Sequence, residues 1–235
     1  MVPALSLVIP ANDEQHRLER TLPVAKAWLE AEAPSHEIIV VDDGSTDQTA
    51  LVAARFGRVH VLPRNRGKGA ALAAGVRLSS GARVLLSDAD FSTPITDLPL
   101  LSARLDQGVT VAIASRAHPA ARLEQRQAAW RENVGRVFNF AVQQLVLPGF
   151  ADTQCGFKLY EGTLARQVAA LAQVEGFACD VEWLVLALKA GARVEEVPVS
   201  WRNDPDTRVR VGKHAPRMLW DIAGVRRRLG RVPRR

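Results

Sequence analysis

Residues 37–47 have the sequence E-I-I-V-V-D-D-G-S-T-D. The run at 37–41 is short, apolar and β-branched, which is typical of a strand that is buried on both faces of a parallel sheet. The residues that follow combine acids with turn formers, so the strand ends there and its loop carries two adjacent carboxylates. Because ligands of parallel α/β sheets bind at the carboxyl ends of strands, this stretch predicts both the fold class and the edge that carries the site.

The same alternation of strand and helix continues on either side of this stretch. Further strands are predicted at Leu5–Ile9, Val59–Leu62, Val84–Ser87, Val109–Ala114 and Val194–Trp201. Helices are predicted at Glu14–Ala31, Asp47–Phe56, Lys68–Leu78, Asp97–Gln107, Trp130–Val146, Thr163–Ala172, Asp180–Ala190 and Pro216–Leu229, the last with its proline in the first turn. The sequence therefore predicts an α/β fold with a mostly parallel, Rossmann-like sheet flanked by helices.

Length and composition suit one globular domain with an appendage. The chain has 235 residues, of which 47% are hydrophobic and 24% charged, which excludes extensive disorder. We predict a main domain over residues 1–214 and a basic helix and tail over 215–235. Two widely spaced cysteines, Cys155 and Cys179, indicate neither a disulfide framework nor a zinc site. No apolar run approaches the ~18 residues of a membrane span, and the N-terminus lacks signal-peptide features, so we expect a cytoplasmic location.

The positive charge of the chain is concentrated at its C-terminal end. Residues 202–235 contain 11 Lys or Arg and three Asp, whereas the first 201 residues contain 20 basic and 22 acidic side chains. A basic segment of this kind binds polyanions, and an anionic membrane surface at the cytoplasmic face fits better than nucleic acid, which the acidic clusters of the body would repel. In the predicted last helix, Met218, Ile222, Val225 and Leu229 form an apolar stripe, which suits either a membrane interface or packing on the domain itself.

Acidic residues follow three of the predicted strands. Asn12-Asp13-Glu14 follows the first, Asp42-Asp43 the second, and Asp88-Ala89-Asp90 the fourth. Any single acid here suits a turn or a helix cap, as Asp47 does, but three clusters at one edge indicate a common purpose. Two carboxylates that flank a small residue suit a hard divalent cation, Mg²⁺ or Mn²⁺, which would also bind phosphate oxygens.

The segment R-N-R-G-K-G at residues 64–69 opens a predicted helix. Its glycines and basic residues predict an anion site, although they equally suit tight packing at the helix start. The spacing matches neither a nucleoside-triphosphate loop nor a dinucleotide fingerprint.

Taken in order, these motifs resemble a known family. V-I-P-A-x-x-E, V-V-D-D-G-S-T-D, N-x-G-K-G, D-A-D and A-S-R are similar to the inverting family 2 glycosyltransferases with the GT-A fold. The later D-T-Q-C-G-F-K (152–158), F-A-C-D-V-E (177–182) and V-P-V-S-W (197–201) resemble the branch of dolichyl-phosphate glucosyl- and mannosyltransferases, the glucosyl members more closely. The resemblance covers about residues 4–222. It departs from the family pattern at Asn12-Asp13, and we expect none of the hydrophobic anchors that many family members carry.

The resemblance implies a metal-dependent transfer of a hexose from a nucleotide sugar to a polyprenyl phosphate, with glucose from UDP-glucose as the first expectation. The alternatives are mannose from GDP-mannose and a soluble acceptor, either a phosphorylated metabolite or a glycan. The residues implied for the nucleotide sugar are Pro10, Ala11, Glu14, Val41, Asp42, Asp43, Lys68, Asp88, Ala89 and Asp90, with Asp88 and Asp90 as metal ligands. Those implied for the acceptor phosphate are Arg116, Arg131, Gln154 and Lys213, with Arg126 and Arg136 as rivals of Arg131.

The nature of the acceptor decides which residue is catalytic. A phosphate monoester has a second pKa of about 6, so it is already ionised near neutral pH and needs arginines such as Arg116 more than a base. A sugar hydroxyl would need a carboxylate to take its proton, and Asp152 is then the expected base.

Overall fold

A computed structural model describes residues 2–125, 129–204 and 211–233, without the side chains of 129–132 and 211–214. The strands are β1 Leu5–Ala11, β2 His36–Asp42, β3 Arg58–Val61, β4 Arg83–Leu86, β5 Val111–Ser115, β6 Arg122–Gln125, β7 Lys158–Glu161, β8 Val194–Pro198 and β9 Ser200–Arg202. The helices are α1 Gln15–Glu32, α2 Thr49–Ala53, α3 Lys68–Leu78, α4 Leu98–Asp106, α5 Ala129–Leu145, α6 Gly162–Leu171, α7 Cys179–Lys189 and α8 Val211–Leu229.

Seven strands form the central sheet, in the order β3-β2-β1-β4-β7-β5-β8. All neighbouring pairs are parallel except those of β7, which lies antiparallel between β4 and β5. β6 and β9 form a separate parallel pair. The mostly parallel α/β fold predicted from the sequence is thus confirmed, and the carboxyl ends of β1, β2, β4 and β5 lie along one edge.

Helices cover both faces of the sheet, which explains the continuous apolar strands. In β1, Val8 belongs to a core cluster that includes residues of α3, α6, α7 and α8. Its neighbours Leu7 and Ile9 belong to a second cluster, which includes residues of α1 and α4. Successive side chains of a strand point to opposite faces, so burial on both faces requires an uninterrupted apolar run.

The second half of the chain differs from the prediction in four places. β6 and β7 were not predicted as strands, and the single predicted strand Val194–Trp201 divides into β8 and β9. The last helix begins at Val211, so Pro216 lies inside it and the prediction of a first-turn proline is wrong. β7 is only four residues long and begins with a buried lysine, so its composition shows no strand pattern.

α8 packs on the domain through its apolar stripe. Ile222 and Val225 are buried in the core cluster that includes α6 and α7, and Met218 and Leu229 pack against it. The stripe therefore stabilises the domain and is not available to a membrane interface. The predicted division between residues 214 and 215 falls inside this helix, and the division itself stays a prediction.

Glu161 caps α6 from the end of β7, and its removal is expected to destabilise the protein in a pH-dependent way. Its carboxylate accepts hydrogen bonds from the backbone N–H groups of Thr163 (2.9 Å) and Leu164 (2.8 Å). Burial raises the pKa of Glu161, but these hydrogen bonds outweigh it and hold the pKa below its ordinary value of 4.5. The cap therefore contributes fully above that value and is lost as the pH falls through the folded-state pKa.

We expect Glu161→Ala to lower the free energy of unfolding by about 1 kcal/mol at neutral pH, the usual value of a helix cap. Urea unfolding of the wild type and the variant at about pH 7 and about pH 3 measures the difference. Glu161→Gln, which keeps an acceptor but cannot ionise, serves as the control. An Ala variant whose deficit is as large in acid as at neutral pH would contradict this account.

Candidate active site

The ends of β1 and β2 are joined by a network of loop hydrogen bonds. Asn12 donates from Nδ2 to the carbonyl oxygen of Asp43 (3.0 Å). Asp13 adopts a positive φ of 53° and accepts from the backbone N–H of Thr46 (2.7 Å). Asp42 accepts from the N–H of Ser45 (2.9 Å). The two loops therefore form one rigid rim at the carboxyl edge of the sheet.

The glycine-rich turn before α3 is held by protein groups, which favours the packing role of its glycines, and the anion site there stays a prediction. The buried carboxylate of Asp43 accepts from the N–H groups of Arg66 (2.7 Å) and Gly67 (2.6 Å). The N–H of Gly69 donates to the carbonyl of Glu175 (2.7 Å). A Cβ on Gly69 would lie 2.1 Å from the carbonyl oxygen of Val174, so the glycine is needed for close packing.

Asp88 and Asp90 follow β4, and each has a distinct environment. Asp88 is 40% exposed at its side chain, and its Oδ1 lies 2.8 Å from the Nζ of Lys68. Burial raises its pKa, but the charge of Lys68 outweighs it and the pKa lies below its ordinary value. Asp90 accepts from the N–H of Ser92 (2.9 Å). Its own burial and the nearby charge of Asp88 raise the pKa of Asp90, as expected for two carboxylates that share one site.

This pair fits a divalent cation that also has a second source of oxygen ligands. Within the described ranges, no three His, Cys, Asp or Glu side chains come together as a metal cluster. Mg²⁺ is usually held by one or two carboxylates together with substrate phosphates, and two neighbouring negative charges favour such an ion. Asp88 and Asp90 therefore suit a cation that a diphosphate shares.

Arg116, directly after β5, makes a bidentate ion pair with Asp152. Its Nε and one terminal nitrogen donate to the two carboxylate oxygens (2.6 and 2.8 Å), and its backbone N–H donates as well (3.0 Å). The guanidinium lies 5.5 Å from the ring centroid of Trp201. The Arg116 side chain remains 29% exposed, so a guanidinium held in one position by Asp152 faces the rim of the sheet.

Glu196 on β8 holds this ion pair in place, and the sequence analysis missed it. Its carboxylate accepts from the backbone N–H groups of Ala151 and Asp152 and from the Ser115 hydroxyl, each at 2.8 Å. The two adjacent acids Glu195 and Glu196 between the apolar residues of β8 were the signal that could have revealed it. The loop before β7 is thereby fixed to the end of β5.

The turn before β7 packs its backbone against the first carboxylate of D-A-D. A Cβ at Gly156 would lie 2.1 Å from Oδ2 of Asp88. Only glycine allows this approach, so the D-T-Q-C-G-F-K segment and the D-A-D segment form one surface. The turn that leads into the antiparallel strand β7 thus places Gly156 against the carboxylate of Asp88.

The remaining predicted residues lie in different settings. Pro10 and Ala11 are at the end of β1, and Val41 near the end of β2 has its side chain in the core. Glu14 makes an ion pair with Arg17, which also donates to Asp204 (2.9 Å). Ala89 is buried. Residue Arg126 and the side chains of Arg131 and Lys213 lie outside the described parts of the structure.

Two buried acids on α7, which make three ion pairs, were also missed by the sequence analysis. Asp180 binds Lys68 and Lys158, and Glu182 binds Arg228 of α8. Both acids are buried in a helix whose other side chains are largely apolar. Acids in such a helix require partners, and that requirement was a signal in the sequence.

The acidic edge, the D-A-D pair after β4 and the arginine after β5 define the class of a nucleotide-sugar transferase with the GT-A fold. Solved structures of glucosyl-3-phosphoglycerate synthase from Mycobacterium tuberculosis share this fold. One complex with Mn²⁺, UDP and glucosyl-3-phosphoglycerate has a TM-score of 0.73 at 20% identity, and the match covers 98% of this chain and 81% of that one. A complex with Mn²⁺, UDP-glucose and phosphoglyceric acid has a TM-score of 0.72.

Residues 6–168 match the family described as Glycosyl transferase family 2, and the chain belongs to that family. Its relatives include dolichyl-phosphate β-glucosyltransferases. The Homo sapiens protein is 34% identical over 235 residues, with 92% of this chain and 71% of the relative covered. The Saccharomyces cerevisiae protein is 28% identical over 249 residues, with 94% and 74% covered. The resemblance noted in the sequence is thus confirmed.

Proposed function

We propose that this chain transfers glucose from UDP-glucose to a polyprenyl phosphate, with inversion at the anomeric carbon and with a divalent cation. The observation that carries the proposal is the Arg116–Asp152 pair, which holds a partly exposed guanidinium at the rim that also carries Asp88. Among the described residues, the second terminal nitrogen of Arg116 has no hydrogen-bond partner, so it is free to bind a phosphate oxygen. The relatives named dolichyl-phosphate β-glucosyltransferase support the same acceptor class.

The environment of Asp152 favours a phosphate acceptor over a sugar hydroxyl. Burial raises the pKa of Asp152, but the charge of Arg116 and the donated hydrogen bonds outweigh it and hold the pKa below its ordinary value. A carboxylate with a lowered pKa that already accepts several hydrogen bonds is a poor base. Asp152 therefore serves to orient Arg116, and the expectation that it takes a proton applies only if the acceptor is a hydroxyl.

With a phosphate acceptor, the reaction needs no residue to remove a proton from the acceptor. An oxygen of the phosphate dianion attacks the anomeric carbon from the face opposite the nucleotide, so a new carbon–oxygen bond forms as the bond to the UDP β-phosphate breaks. No proton has to leave the acceptor, because its second pKa is about 6. Arg116 orients the attacking phosphate, and attack opposite the leaving group inverts the configuration.

The donor is proposed to lie along the rim formed by β1, β2 and β4. Asp42 and Asp43 would face the nucleoside, with backbone groups of Pro10, Ala11 and Val41. Asp88 and Asp90 would hold the cation, which when bound neutralises charge on the departing diphosphate. The solved structures with Mn²⁺ and UDP or UDP-glucose share this fold and support the choice of ligands.

Gln154 is proposed to donate to the sugar or to the acceptor phosphate. Its Nε2 is buried and has no hydrogen-bond partner within the described part of the chain. A buried donor without a partner costs about 1–3 kcal/mol, so a ligand atom that accepts from it would bind favourably.

A transfer assay tests the proposed function directly. The purified chain is incubated with UDP-glucose or GDP-mannose, with Mg²⁺ or Mn²⁺, and with a polyprenyl phosphate in detergent, and the lipid product is extracted. We expect a glucosyl lipid that forms only with UDP-glucose, the cation and the lipid together. A mannosyl product would contradict the proposed donor. Transfer to 3-phosphoglycerate but not to the lipid would contradict the proposed acceptor.

We further propose that α5 and α8, which contact each other, bring the site to an anionic membrane at its cytoplasmic face. None of the helices in the described ranges is long and apolar enough to cross a bilayer. Val137 and Phe140 on α5 are 69% and 64% exposed, and Trp220 on α8 is 67% exposed. Arg226 and Arg227 are exposed near the end of α8. Exposed aromatic and basic groups together suit attachment to a membrane interface.

Charge reversal on α8 is expected to weaken this attachment. Each basic residue near an anionic surface contributes about 1 kcal/mol, so Arg226→Glu with Arg227→Glu should weaken binding to phosphatidylserine vesicles roughly thirtyfold or more. Arg228 is left unchanged because it pairs with buried Glu182. The control reverses exposed Arg55 and Arg58, which carry the same charge elsewhere. Equal vesicle binding by the two variants in sedimentation assays would exclude α8 as the anchor.

A further inference from the structure

A chain of four charged side chains connects the buried interior of the domain to the partly exposed D-A-D pair. Lys158 is 1% exposed and donates from Nζ to the carbonyl of Cys155 (2.6 Å) and to Oδ1 of Asp180. Asp180, 5% exposed, accepts through Oδ2 from the Nζ of Lys68 (3.0 Å), which also lies 2.8 Å from Oδ1 of Asp88. The four side chains come from α3, β7, α7 and the loop after β4, so the contacts join four separate segments.

We propose that Asp180 is a positioning residue, which holds the Lys68 ammonium between itself and Asp88 so that Asp88 remains available to the cation and the donor diphosphate. The inference deepens the proposed function and rests on it. The sequence analysis assigned Lys68 to the donor but gave Asp180 and Lys158 no role.

The charge balance of this chain explains why Asp180 is needed. The two lysines and two aspartates together have no net charge. Lys68 and Asp88 alone would instead form a simple one-to-one ion pair. The Nζ of Lys68 lies 2.8 Å from Oδ1 of Asp88 and 3.0 Å from Oδ2 of Asp180, so one ammonium is shared between two carboxylates. Without Asp180, the Lys68 ammonium would interact with Asp88 alone and would neutralise the negative charge of Asp88 more completely. A neutralised Asp88 binds a divalent cation less tightly.

The geometry also explains why one lysine is fixed and the other is partly accessible. Lys158 is fully enclosed and binds Oδ1 of Asp180, whereas the Lys68 side chain, which binds Oδ2, is 12% exposed. A lysine has a flexible stem of four carbons, so its ammonium needs partners on two sides to stay in one place. Asp180 supplies the buried side and Asp88 the side that faces the ligand.

A second buried ion pair on the same helix offers a matched control. Glu182 is fully buried, lies two residues after Asp180 and binds Arg228, but none of its described contacts involves Lys68. The test variant is Asp180→Asn with Lys158→Met, and the control variant is Glu182→Gln with Arg228→Met. Each removes one acid and one base, so each stays neutral, and each loosens the first turn of α7.

Binding of Mn²⁺ and UDP-glucose by titration calorimetry measures the effect without turnover, and melting curves confirm folding. Loss of a group that orients a metal ligand typically costs 10- to 100-fold in affinity, so we expect roughly that loss in the test variant and a change within about threefold in the control. Equal losses in both, or wild-type affinity in the test variant, would overturn the inference and leave a purely structural role.

A double-mutant cycle provides a second measurement that does not require the Lys158 change. If Asp180 acts through Lys68, Asp180→Asn should weaken donor binding in the wild type but have little further effect in a Lys68→Met background. Additive effects in the two backgrounds would overturn the inference. Wild-type protein that binds UDP-glucose but glucosylates no lipid contradicts only the proposed acceptor, whereas wild-type protein that binds no UDP-glucose contradicts both proposals.

Discussion

Replacing Arg116 with alanine is expected to lower kcat/KM for the polyprenyl phosphate by about 10²- to 10³-fold, the usual cost of losing one well-placed charged donor. The guanidinium is held by both oxygens of Asp152 and lies against Trp201, so its position is set before the acceptor binds. Donor affinity should change much less, because the proposed cation ligands are Asp88 and Asp90. Initial rates measured while the lipid phosphate and then UDP-glucose are varied separate the two effects.

Two further variants separate catalysis from folding at this position. Arg116→Ala leaves Asp152 buried without its partner, which typically costs 3–5 kcal/mol when a buried pair is broken, so a loss of stability is expected as well. Arg116→Met with Asp152→Asn removes both charges and should recover much of that stability without recovering transfer. Arg116→Lys keeps the charge but loses the bidentate contact, and we expect intermediate rates. Wild-type lipid kinetics in the neutral double variant would place the acceptor phosphate elsewhere.

The first half of the fold could be predicted closely because local and long-range requirements agree there. β1, β2 and α3 were predicted to within about two residues at each end, since strands buried on both faces are uniformly apolar and their acidic loops mark the strand ends. Parallel strands then place those loops at one edge whatever the exact register. The grouping of Asp42 and Asp88 at one rim therefore followed from the strand pattern, whereas Arg116 was implied by the family resemblance.

The second half could not be predicted as well because its elements depend on partners distant in sequence. β7 is a four-residue strand that begins with buried Lys158, and only the carboxylate of Asp180, 22 residues away, makes that lysine tolerable in the core. Asp152 and Arg116 are separated by 36 residues, so no spacing rule revealed that the carboxylate is engaged. Sequence patterns identify residue types that need partners, but they do not identify the partners.

The sequence correctly located the basic residues near the C-terminal end, but it overestimated how many of them are available to bind a membrane. Arg228 makes an ion pair with Glu182. The Nε of Arg217 lies 3.2 Å from Oδ1 of Asp221, and its guanidinium lies over the ring of Trp220. The apolar stripe of α8 is likewise used inside the domain. A charge count therefore gives an upper limit for the charge that a membrane meets, and the exposed arginines 226 and 227 are the ones to test.

Asp90→Asn is expected to abolish cation-dependent transfer while leaving the fold intact. The cation, when bound, contributes several kcal/mol to the stabilisation of a departing diphosphate, so loss of a ligand should reduce kcat by roughly a thousandfold and move the Mn²⁺ dependence to higher concentrations. Asparagine keeps an oxygen that can accept from the N–H of Ser92. Rates measured over a series of Mn²⁺ concentrations give both quantities, and exposed Asp106→Asn is the control for the loss of one carboxylate.

The stability of the same variant tests the electrostatic side of this assignment. In the wild type, burial and the neighbouring charge of Asp88 both disfavour an ionised Asp90, as the raised pKa of Asp90 indicates. Removing that charge should therefore raise the melting temperature without a cation, and the stabilisation that added Mn²⁺ and UDP give the wild type should be lost. A group kept for stability would show the opposite pattern, with a lower melting temperature and an unchanged response to Mn²⁺. The combination of lost transfer and gained stability is what a carboxylate retained for binding a cation requires.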